Sequence, residues 1–306
     1  MSVGKVDVWK APGAWTNGIN NVERSLALTE RELQKGEDVD LDDLGKASRR
    51  KGKTLLLAGT YKWLWSDGVV CLGLHVSTGS LVSISSGFTG HTVLRTGLNQ
   101  NRIVYSKVLD KVYYTNNQVI GYVQGGADHA LPTPTEEFKE AMFPCEFLVY
   151  HAGRLWGGRA NQLWPSDVLA VGQRDQRMAP KQFQGNLTLV ESVRNGMFIA
   201  DTGNTYYMAI KDPTEMIPDA LQIVAFYGAI PHAVTRVDGS LIGGREPVKG
   251  TVLFWGSPNG VCVGADNGEF TNVSATRYTI PGTYSGSALY RKNHRGTSQV
   301  IMSLIQ

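Results

Sequence analysis

The sequence predicts an all-β fold, a β-propeller of five or six blades preceded by an extended, partly helical N-terminal docking segment. Three observations carry that expectation. Beyond Thr54 the chain is a series of short apolar or alternating runs bounded by Gly, Asn, Asp, Ser and Pro, the texture of strands and turns. Its hairpin-like units recur about every 46 residues, within a range of roughly 36 to 56, which suits one four-stranded blade per unit. Composition also breaks near residue 53, where the charged fraction falls from roughly a third to about one in six or seven. The expected division is an attachment segment over residues 1–53 and a propeller domain over residues 54–306.

The first residues, MSVGKVDVWKAPG, lack the apolar core of a secretory signal, and no run nears the roughly 18 apolar residues of a membrane span. Folding in a cytoplasm is the expectation. Asn17, Gly18, Asn20 and Asn21 then gather turn-forming residues around Ile19 before any core has been laid down. SLALTERELQKG predicts a helix of about three turns, started by Ser25 or Asn21 and closed by Gly36. Leu26, Leu28 and Leu33 give that helix only a thin apolar face, so it needs a surface to dock on.

The next stretch, EDVDLDDLG, sets Asp38, Asp40 and Asp42 at the first ligand spacings of an EF-hand loop. Asp43 then stands where that loop needs Gly, and Arg49 where it needs Glu, which favours a solvated acidic loop. The basic run SRRKGK follows at once, and Arg49, Arg50 and Lys51 could meet phosphate or an acidic neighbour.

In the second region, TLLLA, GVVCLGLHV, RIVYSKV, KVYYT, QVIGYV, EFLVYHA, TLVESV, GMFIA, TVLFWG, GVCVGA and QVIMSLI read as strands. Six hairpin units superpose: YKWLWSDGVVCLG, KVYYTNNQVIGYV, RLWGGRANQLWPS, GMFIADTGNTYYMAI, VLFWGSPNGVCVG and ALYRKNHRGTSQVIMSL. Residues 125–144 interrupt the rhythm with Pro132 and Pro134, followed by a predicted short helix, TEEFKEAMF; KDPTEMIPDALQ is a weaker interruption. The doublets Gly125-Gly126, Gly157-Gly158 and Gly243-Gly244 read as tight turns or bulges. The strand-like C-terminus would close the ring together with material from the first blade, removing free sheet edges. A β-sandwich or barrel is the rival architecture.

Chemical signatures are sparse. A net charge of +3 is well short of a dedicated duplex-DNA binder. Cys71, Cys145 and Cys262 are far apart and odd in number, which suits free thiols rather than a disulfide frame or a zinc site. The six histidines never stand at metal-ligand spacing, and His151, in VYHAGRLWGG, reads as a packed core histidine. Asp201, Asp238 and Asp266 stand beside turns, where Asp serves the backbone. No cofactor, metal or catalytic residue is expected.

One local pattern is more specific. GINNVERS, followed by LALTERELQKGEDVDLDDLGKASRRKGK and a strand, resembles the opening of bacteriophage tail nozzle and head-completion (tail accessory) proteins: a Gly-Ile-Asn-Asn start, an acidic Asp-x-Asp segment, a Gly and an Arg-Arg-x-Gly. The likeness covers about residues 17 to 53 and is architectural beyond them; "KGEDVDLD" departs from the Ala-x-Asn more usual before the Asp, and the chain is shorter than typical nozzles. It implies a non-enzymatic subunit of a virion tail, ringed with copies of itself around the tail axis and touching neighbouring tail or head-tail adaptor proteins. Non-specific contact with DNA in the channel would go with that role, which is to help retain and conduct the genome. Asn17, Gly18, Ile19, Asn20, Asn21, Leu26 and Leu33 would form the docking surface, with Arg49, Arg50 and Lys51 as polar contacts. A rival of another class is a glycan-binding adhesin or depolymerase using Trp63, Trp65, Trp156, Trp164 and Trp255 as stacking faces. A cellular propeller scaffold is a third.

Overall fold

The computed structural model describes residues 18–19, 21–22, 32–33, 39–41, 47–49, 54–214, 217, 221–241, 250–275, 277–280, 282–292 and 298–305. Five four-stranded antiparallel meanders follow one another along the chain. Blade 1 holds Tyr61–Ser66, Cys71–His75, Ser80–Ile84 and His91–Arg95. Blade 2 holds Val104–Val108, Lys111–Thr115, Ile120–Gln124 and Ala127–Ala130. Blade 3 holds Phe147–His151, Arg154–Arg159, Gln162–Pro165 and Lys181–Gln182. Blade 4 holds Leu187–Val193, Gly196–Asp201, Thr205–Ala209 and Gln222–Ala225. Blade 5 holds Val234–Asp238, Thr251–Ser257, Gly260–Gly264 and Phe270–Asn272. A terminal hairpin, Ser285–Lys292 and Ser298–Ile305, comes last.

The second strands of the blades are buried on both faces, which explains their near-continuous apolar runs. In GMFIA, Met197 and Ile199 pack with Val149, Trp156 and Leu163 of blade 3, while Phe198 and Ala200 pack with Leu253, Trp255 and Cys262 of blade 5. Alternate side chains of one strand thus serve two neighbours. The same logic gives a core between blades 1 and 2 around Leu72, Leu74, Val112 and Tyr114, and one between blades 2 and 3 around Val108, Tyr113, Leu148 and Leu155. A smaller one, Ile230, Ala233 and Ile280 with Leu304 against it, joins blade 5 to the terminal hairpin. Each fully buried Leu, Ile or Phe contributes about 1.5–3 kcal/mol through burial, so the stability of a blade depends on the blades beside it. The chain is an all-β propeller.

Several elements differ from the sequence expectation. Within the helix predicted over SLALTERELQKG, Glu32–Leu33 is a strand paired in parallel with Gly18–Ile19. Leu26 and the rest of that helix lie outside the described residues, among which no α-helix occurs. Pairing with another strand outweighs the weak helical signal of a thin apolar face. TEEFKEAMF contains a strand, Lys139–Ala141, paired with Gln173–Asp175. There Lys139 Nζ reaches Asp167 at 2.8 Å and Asp175 at 3.1 Å, and Glu140 pairs with Arg174. Gly125-Gly126 is the tight turn leading into Ala127–Ala130, so the interruption begins only at Leu131.

TLLLA forms no strand, and Leu55 and Leu56 are exposed. Gly157 and Gly158 are neither turn nor bulge but mid-strand. A methyl group on Gly158 would stand 3.0 Å from Leu187 and 3.1 Å from Phe147. Gly243-Gly244 lies outside the described residues. Four of the six superposed units are the central hairpins of blades 2 to 5, whereas YKWLWSDGVVCLG is the first hairpin of blade 1. Its equivalent central turn is Val76–Gly79, which carries no aromatic residue to mark it.

Candidate functional site

The first strands of the blades converge on one cavity of about 470 Å³. Its lining comes from Tyr61–Trp65, Arg102–Tyr105, Phe147–Leu148, Leu189–Glu191, His232 and Val234, and from the terminal hairpin. Mostly these are the opening residues of the inner strands, so all five blades run outward from the same end. Arg102 and His232 hold equivalent places, each two residues ahead of a first strand.

The Arg102 guanidinium lies 4.9 Å from the Trp63 ring centroid and donates to the Gly286 carbonyl at 2.8 Å and to Ser287 Oγ at 3.2 Å. It has no carboxylate partner among the described residues, and burial brings its pKa down to about 10. His232 stacks on Phe147 with centroids 4.6 Å apart. Burial, and then the charge of Arg102, pull its pKa down to about 3, so the ring is neutral at ordinary pH. Glu191 accepts from Arg236 Nε at 2.7 Å, an ion pair that ties blade 4 to blade 5.

Backbone strain collects at the same place. Trp63 has φ 53° and His232 has φ 61°, a left-handed region that costs bulky residues on the order of 1–3 kcal/mol. Trp63 sits in an irregular stretch where the register shifts between Lys62 and Trp65. Its Nε1 and the Tyr105 hydroxyl are buried in the wall without a hydrogen-bond partner. A cavity with an unbalanced guanidinium, a neutral imidazole and aromatic walls has the chemistry to admit a small anionic molecule. A volume of about 470 Å³ is that of a small-ligand pocket.

Of the residues singled out in the N-terminal segment, Gly18 and Ile19 pair with Glu32 and Leu33, and Arg49 lies opposite Val39 in the hairpin Val39–Leu41/Ala47–Arg49. Asn17, Asn20, Leu26, Arg50 and Lys51 lie outside the described residues. Asp40 is in the hairpin, while Asp38 and Asp42 are outside the described residues. Asn21 is held by the body of its own chain. Its N–H donates to the Arg277 carbonyl at 2.8 Å, its Nδ2 to the Thr279 carbonyl at 3.0 Å, and its Oδ1 accepts from Thr279 N–H at 3.0 Å.

Trp156 and Trp255 are fully buried between blades, Trp164 lies against Arg174, and Trp65 stacks on Tyr105. Only Trp63 and Trp65 of the five line the cavity. His151 is buried, with Nε2 2.5 Å from the Ile210 carbonyl, as a packed core histidine should be. Cys145 and Cys262 are buried free thiols, and burial pushes Cys145 up to about 12. Asp201, Asp238 and Asp266 accept backbone N–H bonds from Gly203, Ser240 and Arg194 respectively. No group of three or more His, Cys, Asp or Glu side chains among the described residues could hold a metal ion.

No family model matches the chain, and no curated protein sequence is similar to it. Among solved structures, an auxiliary nutrient binding protein from Bacteroides thetaiotaomicron aligns with TM-score 0.47 and 12% identity over 70% of this chain; the match spans only 56% of that protein. A gluconolactonase from Xanthomonas campestris aligns at 0.40 and 12% identity, covering 77% of this chain and 80% of its own. The WD40 β-propeller domain of Doa1 aligns at 0.42 and 12% identity, covering 79% and 82%. These scores carry no functional argument, and the propeller assignment rests on the chain's own strand order and radial packing.

The cavity residues were not legible in the sequence as a site. Trp63 and His232 are well over a hundred positions apart, and only the radial arrangement of the blades brings them to one wall. The equivalent placement of Arg102 and His232 ahead of their blades would have been a signal, had the blade phase been known.

Proposed function

We propose that this protein is a structural, non-enzymatic component of a bacteriophage tail, a propeller subunit that assembles with copies of itself about the tail axis and helps retain and conduct the genome. The observation that carries the reading is the build of residues 18–49. The described residues within the pattern GINN, DVDLDDLG and SRRKG include Gly18–Ile19, paired with Glu32–Leu33, and Val39–Leu41, paired with Ala47–Arg49, and these short strands belong to none of the five blades. Such a segment fits attachment better than core. On this reading a conduit for DNA lies between copies rather than through one propeller, because the cavity has the size of a small-ligand pocket. The terminal hairpin then counts as a sixth, incomplete blade, and the Asn21 clamp holds the root of the attachment segment beside it.

The test is immunogold electron microscopy of purified phage particles with antibody against this chain, together with a truncated protein spanning residues 54–306. Label at the tail axis or head-tail junction is expected, with a truncation that folds but does not enter particles. Label on peripheral fibres would favour glycan binding instead. Absence from particles with a full tail, or normal incorporation of the truncation, would overturn the assignment.

A further inference from the structure

The ring of blades has one weak seam. Compact apolar cores join blade 1 to 2, 2 to 3, 3 to 4, 4 to 5, and blade 5 to the terminal hairpin. No such core joins the terminal hairpin to blade 1 among the described residues. Both sides of that seam are under-covered. Tyr61–Ser66 alternates between half-buried and exposed, with no buried residue, whereas Phe147–His151 and Leu187–Val193, its counterparts in blades 3 and 4, are almost wholly buried. In the terminal hairpin only Gly286 is buried among the residues whose burial is described. Leu64 on one side and Leu289 and Ile305 on the other are each more than half exposed.

Strand count gives the same deficit. Among the described residues five blades have four strands and the terminal unit has two, so Ser298–Ile305 pairs with Ser285–Lys292 on one side only. Among the described residues its other side is an eight-residue sheet edge with no strand beside it, and proteins normally cover such edges. A matching surplus stands just ahead of blade 1. The hairpin Val39–Leu41/Ala47–Arg49 has two strands that pair, among the described residues, only with each other. The chain from Arg49 to Tyr61 can span up to about 40 Å; because Leu33 is paired beside Ile19, only the stretch from Leu33 to Val39 is free, which lets the hairpin reach to about 30 Å from Asn21.

We propose that this hairpin is donated to a second copy of the chain, where it completes the terminal unit by adding to the Ser298–Ile305 edge and covering the exposed leucines of the seam. A second copy is the occupant because, among the described residues, the hairpin pairs with no edge of its own chain, while Asn21 fixes the root of the segment on its own body. Each copy then gives one hairpin and receives one, a head-to-tail contact that can close into a ring. The inference rests on the reading of the chain as a ring-forming tail subunit and names the contact that would build the ring.

The test is disulfide trapping in full-length protein with Cys71→Ser, since that thiol is the least buried of the three. One preparation carries Ser303→Cys and the other Ser48→Cys, with Ala47→Cys as a second partner covering the opposite strand face. Oxidation of the mixture should give a species of twice the monomer mass on a non-reducing gel, absent from either preparation alone. A double variant, Ser48→Cys with Ser303→Cys, that closes instead into an internally linked monomer would show the hairpin returning to its own chain, and would overturn the proposal. Failure to cross-link in proteins that form rings by native mass spectrometry would also overturn it and leave the tail assignment standing. A chain that stays monomeric at every concentration and is absent from particles would remove both.

Discussion

His232 gives a prediction whose size follows from the structure. Its folded pKa is about 3, against about 6.5 in an unfolded chain, because burial and the neighbouring Arg102 disfavour the imidazolium. Between those values the unfolded chain binds a proton that the folded chain refuses, so stability is fully present above about pH 6.5 and falls as the pH drops toward 3. At pH 5 the loss from this one group is about 2 kcal/mol, a sizeable share of the roughly 5–15 kcal/mol that holds a domain together. The comparison is His232→Asn, which removes the titration and tolerates the left-handed backbone at this position. Urea unfolding of both proteins at pH 7.5 and pH 5 should show the natural chain losing about 2 kcal/mol more than the variant over that interval. The variant should also be less stable at pH 7.5, since it gives up the stacking on Phe147. An equal pH response in the two proteins would refute the claim that His232 is buried neutral beside Arg102.

Two further substitutions probe the packing that fixes the blades. In Gly264→Ala the new methyl group would stand 2.6 Å from two ring atoms of Phe198 and 2.9 Å from Trp255, both fully buried between blades 4 and 5, so a loss of about 1–3 kcal/mol is expected in urea unfolding; an unchanged midpoint would mean that the interface is looser than described. Asp201→Ala removes the acceptor for Gly203 and Asn204 N–H at 2.7 Å each, Gly185 N–H at 3.2 Å and the Tyr206 hydroxyl at 3.1 Å, and should cost at least about 3 kcal/mol in thermal or urea unfolding. Burial works against the charge of Asp201, but these donors outweigh it and hold its pKa below the usual carboxylate range. Its contribution is therefore present above about pH 4 and is lost as the pH falls through the folded value.

The sequence by itself determined the all-β class, the runs that become most strands and the approximate period of the blades. Those signals are local: a strand buried on both faces must be apolar along its length, as GMFIA and TVLFWG are, and a tight turn must carry residues such as Asn259-Gly260 whatever the rest of the chain does. The same locality explains the correct reading of Asp201 as a turn residue. What the sequence could not determine was anything set by a partner far along the chain. Lys139–Ala141 has the composition of a helix and becomes a strand because Gln173–Asp175 supplies its hydrogen bonds. Gly158 is small because Phe147 and Leu187 crowd it, and Asn21 has its role only because Thr279 meets it after a separation of 258 residues. The cavity of Trp63, Arg102 and His232, and the uncovered seam between the terminal hairpin and blade 1, exist only once the blades are set around one axis. Radial packing decides which inner strands meet, and no periodicity along the chain encodes that.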